Sequence, residues 1–436
     1  MSGDINEGVK RGFSPAYILS LDVGTTTLRS HIYDKQCNIK GSSSKKIEII
    51  HPNVGWSEMD PELLVDQVKD CINETIKAAG IEANKVTCLG IATQRATFLT
   101  WDSETGKPYH NLVTWQDLRA SDHVKLWNNS YTMKIEWSSI VCNLVNIPMS
   151  IFPEVKDTSG HFGYTNEKFF GAKIPITAIV ADQQSALFGH CCFEVGDVKC
   201  TMGTGTFVDL NTGNTPHASV AGLYPLIGWK IGDEMTFVAE GQAADTGNVL
   251  DWIHSVGIFD DVTKTAELAK SVPGNGGVYF VPAFSGLQAP INDDMATTSM
   301  IGISPGTTKA HIVRAVLESL AFRFKILYET ILTETKLPLS HIRADGGVCN
   351  NDFIVQLMSD LVNQTIERSC EADITSLGSA FLAGLAVGVW KDKNELLELR
   401  GSRKVFEPEP TWKDYKEHFS QWERAVLRST NWYKPQ

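Results

Sequence analysis

Apolar residues along this chain follow two alternating rhythms: short β-branched runs, and longer stretches with an apolar residue at every fourth position. Tyr17 to Leu21 is a compact strand candidate, followed by a turn through Asp22, Val23 and Gly24 and a polar Thr25-Thr26-Thr27. Strand character returns from Leu28 to Tyr33, which predicts a hairpin with a glycine in its turn. Between Leu63 and Ala79, Leu64, Val68, Ile72 and Ile76 keep the four-residue spacing of an amphipathic helix. Pro175 to Ala181 reads as a strand that stops at Asp182. Val278 to Val281 and Ser340 to Ala344 are further strands, and His311 to Leu332 carries Ile312, Val316, Leu320 and Phe324 in helical register. Thr375 to Trp390 is nearly all apolar, and its Gly378, Ala380, Gly384 and Gly388 predict a buried helix on which another element packs closely. Strands alternating with helices favour an α/β architecture. A soft boundary falls near residues 188–200, giving an expected division into 1–193 and 194–436.

Length agrees, since 436 residues is about three times the common domain size. A net charge of −12 argues against nucleic acid as a partner, because such binders need a basic surface. Nine cysteines with no C-x-x-C spacing read as free thiols of a reducing compartment, and the expected location is the cytoplasm. Residues 1–16 lack a long apolar core of the kind a secretory signal needs. No window approaches ~18 uninterrupted apolar residues, so no membrane span is expected. The sequence leaves assembly open, with a homodimer as the expectation.

Two common nucleotide signatures are missing. There is no G-x-x-x-x-G-K-[ST] loop, and Gly203-Thr204-Gly205 lacks the third glycine of a dinucleotide fingerprint. Three glycine- and threonine-rich turns take their place, each after a strand candidate. In the first, Gly24 lets the backbone approach a phosphate, Thr25, Thr26 and Thr27 offer donors, Arg29 offers positive charge and Asp22 an oxygen for Mg²⁺. The second runs from Thr201 to Thr206 and suits the other side of a phosphate chain. In the third, Gly346-Gly347 would let a flat base lie on the backbone, with Asn351 at its edge. Each turn alone also reads as a plain hairpin or a helix cap, and the order of all three is the specific signal. Asp182 is the acid placed for chemistry. It stands where a strand ends and a helix opens, the usual site of functional groups in an open α/β sheet, though an N-cap aspartate occupies the same position. A carboxylate there can accept the proton of an attacking hydroxyl.

These segments resemble the glycerol kinases. The likeness runs through Leu21-Asp22-Val23-Gly24-Thr25-Thr26-Thr27, Gly55-Trp56-Ser57-Glu58, Gln94-Arg95, Trp115-Gln116-Asp117-Leu118-Arg119 and Asp182-Gln183-Gln184. It continues in Gly203-Thr204-Gly205-Thr206-Phe207, Asp345-Gly346-Gly347 and the stretch from Leu377 to Trp390. The resemblance is to FGGY carbohydrate kinases, and it implies a two-domain actin-like (ribonuclease H-like) ATPase fold that uses ATP and Mg²⁺ on a small polyol. It assigns phosphate contacts to Thr25, Thr26, Thr27 and Arg29, and the acid near the metal to Asp22. The glycerol pocket falls to Arg95, Trp115, Asp182, Gln183 and Phe207, with Asp182 as base. Nucleotide contacts fall to Thr204, Gly302, Gly306, Gly347 and Asn351. On their own, Arg95 reads as a surface ion pair and the two aromatics as core packing, and it is the family pattern that moves them to the pocket.

Two departures change the picture. The family places glutamate after the Gln-Arg pair, and this chain has Ala96, as does a divergent branch of the glycerol kinases. After Met133-Lys134 the family continues through a pocket tyrosine and an F-G-T-[IV]-D-[ST]-W segment, whereas this chain passes directly to Ile135-Glu136-Trp137. The expectation is a first domain shortened at that junction, with everything beyond about residue 195 holding its own core. Three functions follow: ATP-dependent glycerol phosphorylation, a nucleotide-binding pseudokinase of little activity, and a kinase for another small polyol or sugar.

Overall fold

The computed structural model describes residues 16–120 and 139–433, apart from 54, 145, 371, 372, 402 and 411–414. The junction at Lys134–Ile135 lies outside the described residues. Two main sheets draw their strands from residues 17–181 and 198–406. The first has the order Ile39–Lys46, Thr27–Tyr33, Tyr17–Val23, Val86–Thr93, Pro175–Ala181, Ser159–Tyr164. Tyr17–Val23, Val86–Thr93 and Pro175–Ala181 run parallel at its centre, and the outer strands are antiparallel. The second has the order Tyr224–Ile231, Glu234–Ala243, Thr206–Gly213, Val198–Met202, Ile342–Asp345, Ile366–Ser369, Arg403–Phe406. Both sheets are mixed, as the α/β reading of the alternating pattern allows.

Local chemistry sets the element ends. Asp60 caps the helix Pro61–Ala79 by accepting from the N–H groups of Glu62 and Leu63, Pro61 opens it with its fixed φ, and Gly80 closes it at φ +65°. The long helix Lys309–Thr335 starts at a Thr308–His311 capping box, two residues before the expected start, because the cap lies outside the apolar pattern. The strand expected at 340–344 is Ile342–Asp345. The apolar stretch expected to be helical through Trp390 stops at Ala386.

Strand periodicity explains how the first sheet is covered. Along Tyr17–Val23, Leu19 and Leu21 join a core with Ile72 and Ile76 of the helix Pro61–Ala79. Ile18 faces the other way, into a cluster with Phe381 and Leu382 of the helix Ile374–Ala386, where Ser379 Oγ also donates to Ser20 Oγ at 3.4 Å. This strand is buried on both faces, which is why it reads as a nearly continuous apolar run. The late helix can come so close because of paired glycines. A Cβ on Gly378 would overlap the Ser185 carbonyl oxygen, and one on Gly90 would overlap that of Ser379. Trp390 is fully buried, with its ring edge-on to Phe381.

The second sheet has a core of its own, which includes Val208, Leu210, Leu320, Phe324 and Ile354. The cluster around Phe381 and Trp390, however, also takes in Trp229 and Val238 of the second sheet. The two sheets therefore share part of one core. Among the described residues, no helix is long and apolar enough to cross a membrane.

Candidate active site

The three central parallel strands of the first sheet end in one rank. Val23 lies beside Thr93, and Thr93 beside Ala181. The residues that follow are Gly24 and the threonine turn, then Gln94 and Arg95, then Asp182. Three segments far apart in sequence thus meet at the carboxyl edge of the sheet, where a crevice forms in α/β architectures. The first turn closes with Gly24 N–H donating to the Thr27 carbonyl at 3.1 Å. From the second sheet, the turn between Val198–Met202 and Thr206–Gly213 faces the same crevice.

The result is a cleft of about 420 Å³. Of the sequence-predicted residues, Thr25, Thr26, Arg95, Trp115, Asp182, Gln183, Thr204 and Phe207 line it together. Trp115 is pinned there by its ring N–H, which donates to Thr25 Oγ1 at 2.9 Å, while Thr25 Oγ1 donates to Gln94 Oε1 at 3.2 Å. The loop carrying Trp115 is fastened behind by Asp117, which accepts from Ser57 N–H and from Arg119. Arg119 also stacks on the Trp56 ring and pairs with Glu58. Two of the motifs that carried the resemblance therefore brace each other.

Asp182 is the first residue of the helix Asp182–Gly189, and its Oδ1 accepts from Gln183 N–H at 2.8 Å. Burial raises its pKa above the usual carboxylate range, and the Arg95 guanidinium, with Nε 3.9 Å away, opposes that shift. Asp22 lies deeper. Burial pushes it up to about 7, partly offset by Arg29 at 3.7 Å and reinforced by Asp182 and Asp373. Its Oδ1 is buried without a hydrogen-bond partner, as expected of an oxygen waiting for a cation. No group of three or more His, Cys, Asp or Glu placed to hold a metal occurs among the described residues. One buried carboxylate with a free oxygen fits Mg²⁺, which commonly takes one or two carboxylates and completes its shell with water and phosphate oxygens.

The remaining predicted residues stand outside the cleft lining. Thr27 opens the strand Thr27–Tyr33, and Arg29, two residues on, bridges Asp22 and Asp373. Gly302 has φ +89°, and a Cβ there would overlap the Gly277 carbonyl, so it serves backbone packing in this structure. Gly306 lies in the loop before the Thr308 cap. Gly347 is open, with nothing within 4 Å of where a Cβ would stand, while its neighbour Gly346 at φ +93° packs against Met202. Asn351 is committed to the protein itself. Its side chain caps the helix Asp352–Val362 by accepting from Phe353 and Ile354 N–H, and its amide nitrogen donates to Thr265 Oγ1 at 3.0 Å. Tyr224, Glu240 and Gln242 also line the cleft and belong to no motif. The one signal for Glu240 in the sequence is an isolated carboxylate in the apolar strand Glu234–Ala243.

Comparison with known proteins places this geometry in context. The FGGY family of carbohydrate kinases matches through its N-terminal domain over residues 17–135 and through its C-terminal domain over residues 198–387. Glycerol kinase 5 of Bos taurus is 44% identical, covering 96% of this chain and 96% of that protein. The alignment extends over 508 positions, more than the 436 residues here, so the relative carries residues without counterpart in this chain. Glycerol kinase 2 of Thermotoga maritima is 34% identical over 96% of this chain and 99% of its own length. Among solved structures, Plasmodium falciparum glycerol kinase with ADP superposes with a TM-score of 0.87 at 30% identity, covering 95% of this chain and 98% of that one.

Proposed function

Because the chain belongs to the FGGY family of carbohydrate kinases, we propose that it transfers the γ-phosphoryl group of ATP to a primary hydroxyl of glycerol. The observation that carries this reading is the convergence of Asp182, Arg95 and two threonine-rich turns on one cleft. Arg95 presents guanidinium N–H groups to vicinal hydroxyls, and Trp115 and Phe207 pack the carbon backbone between them. Asp182 orients the attacking hydroxyl and takes its proton as the O–P bond forms and ADP departs. Burial raises its pKa, which makes the ionised carboxylate a stronger proton acceptor than an exposed one. Thr26 and Thr204 donate to phosphate oxygens, and Thr25, whose hydroxyl proton goes to Gln94, offers its backbone N–H. Asp22 would hold Mg²⁺, whose contribution when bound is to offset charge on those oxygens. Closing the two halves over the cleft would limit access of water to the phosphoryl group. The nine free thiols fit a cytoplasmic, reducing setting.

A nucleotide-binding chain with little transfer is the second reading, favoured by the residues that the relatives carry and this chain lacks. Calorimetric titration with Mg²⁺–ATP and then glycerol, paired with glycerol-dependent ADP release, separates the two. Heat from both ligands with ADP release supports the kinase. Nucleotide binding without polyol-dependent release supports the second reading.

The nucleotide half of the proposal has its own test at Gly347. Since a Cβ there meets no protein atom within 4 Å, Gly347→Val is expected to keep the fold, with the melting temperature as the check. If the base lies against Gly346–Gly347, the variant loses ATP affinity by about tenfold or more, some 1.4 kcal/mol, with glycerol affinity and melting temperature unchanged. Unaltered ATP affinity would place the base elsewhere.

A further inference from the structure

A rank of polar side chains crosses the second sheet beneath the cleft, set by strand register alone. Lys199 lies opposite Asp209, Asp209 opposite Glu240, and Glu240 opposite Tyr224. Directly paired residues of adjacent strands project from the same face, so these groups must interact. Lys199 Nζ is 2.6 Å from Asp209 Oδ2, and both side chains are essentially without solvent. At one end, Lys199 Nζ donates to Gln183 Oε1 at 2.5 Å. At the other, Glu240 holds Arg95, with Nη2 at 3.0 Å from Oε1 and 2.8 Å from Oε2. Gln183 and Arg95 both follow strands of the first sheet, and Asp182 stands between them. The rank thus grips the first sheet on either side of the proposed base.

Arg95 has little freedom in this setting. Its guanidinium sits 5.7 Å from the centre of the Phe207 ring, its Nε is near Asp182, and the Glu240 side chain beneath it is only 3% exposed. Of the described residues that line the cleft, only Asp182 and Glu240 carry a carboxylate, and the Ala96 side chain beside Arg95 offers no acceptor. Two carboxyls directly opposite one another in a dry sheet repel unless they share a proton. Burial, with the neighbouring Asp209 charge next, pushes Glu240 up to about 8.

We propose that Glu240, backed by Asp209 and Lys199, is the positioning residue that fixes Arg95 for recognition of the polyol hydroxyls. This inference rests on the polyol-kinase reading for its recognition half; the Arg95 clasp stands on geometry alone. Without Glu240, Arg95 keeps its charge but loses its fixed direction, so the loss falls on polyol affinity. Glutamine keeps the shape and one acceptor, as the protonated carboxyl does.

The test compares wild type, Glu240→Ala and Glu240→Gln by steady-state kinetics and by reaction of the intact proteins with phenylglyoxal, with Arg95 read out by peptide mass mapping. Losing a hydrogen bond to a charged group is worth about ten- to a hundredfold, so glycerol KM rises by that factor in Glu240→Ala. kcat and the KM for ATP stay within about threefold, as expected for uniform binding lost on the polyol side alone. Glu240→Gln recovers most of the affinity. Arg95 labels slowly in wild type and in Glu240→Gln, and quickly in Glu240→Ala. A fall in kcat with glycerol KM unchanged, or equal loss for both substrates, overturns the positioning role. Arg95 labelling that is the same in all three overturns the clasp whether or not the chain is active. A wild type that turns over no polyol overturns the recognition half and the kinase reading together, and the labelling still decides the clasp.

Discussion

Asp182→Asn is expected to lower kcat for polyol phosphorylation by roughly 10²–10⁴-fold while ATP affinity hardly changes. The carboxylate stands at the end of the central strand Pro175–Ala181, beside Arg95 and facing the two threonine-rich turns. Asparagine keeps the volume and the acceptor that receives Gln183 N–H. It also removes a partly buried charge, so the melting temperature should hold or rise. What it cannot do is take a proton. The pH profile carries the same signature. With Asp182 as the proposed base, activity follows its ionised form, and burial raises its pKa, so the acid limb of wild-type kcat is expected above the pH of an ordinary carboxylate. The residual activity of the variant should lose that limb. Stopped kinetics with purified variant and nucleotide titration check both halves, and near-normal turnover would remove Asp182 from the role of base.

The largest stability effect is expected at Gly378. In an ordinary helix interior, Gly→Ala gains ~1 kcal/mol through reduced backbone entropy. Here the sign should reverse. A single Cβ on Gly378 overlaps the Ser185 carbonyl oxygen and crowds Gly189 N, and these are backbone atoms of the facing helix Asp182–Gly189. A side chain can rotate away from a clash, but a helix backbone must translate. Overpacking a core costs about 1–3 kcal/mol and more where nothing can yield, against a total of ~5–15 kcal/mol. Gly378→Ala should therefore lower the urea midpoint, and Gly378→Val should leave little folded protein. The displaced helix begins with Asp182, so surviving Gly378→Ala protein should also lose turnover. An unchanged or raised midpoint in the alanine variant would mean that the two helices are not so close.

Much of the site is legible because its residues are local events. Asp182 is an acid that ends a short apolar run, and a run of that length with β-branched residues is a strand. The threonine turn after Tyr17–Val23 follows from a glycine between two short strands. The rank from Lys199 to Tyr224 is different. Its members come from four strands, and only register sets them side by side; each looks in sequence like a stray polar residue in an apolar segment. Asn351 shows the opposite limit. An asparagine before an amphipathic run is equally a ligand contact or a cap, and in this structure the cap takes its amide. The partner of the glycine-rich stretch from Thr375 was also beyond the pattern. Small residues announce a close approach without saying to what, and the answer lies some 190 residues upstream.

That answer bears on how the chain is made. The helix Ile374–Ala386 covers the face of the first sheet that Ile18, Cys88 and Ala178 turn toward it. A nascent chain has synthesised all six strands of that sheet long before the covering helix leaves the ribosome. Domains generally fold as units in the order of synthesis, and transiently exposed apolar surface is what draws chaperones and invites aggregation. For this protein the first sheet waits, covered on one face, until residues 374–386 have been made, nearly 200 residues after its last strand. Ribosome-bound chains halted before Ile374 and after Trp390 would differ sharply in protease resistance within residues 17–93, although neither stall site touches those residues in sequence.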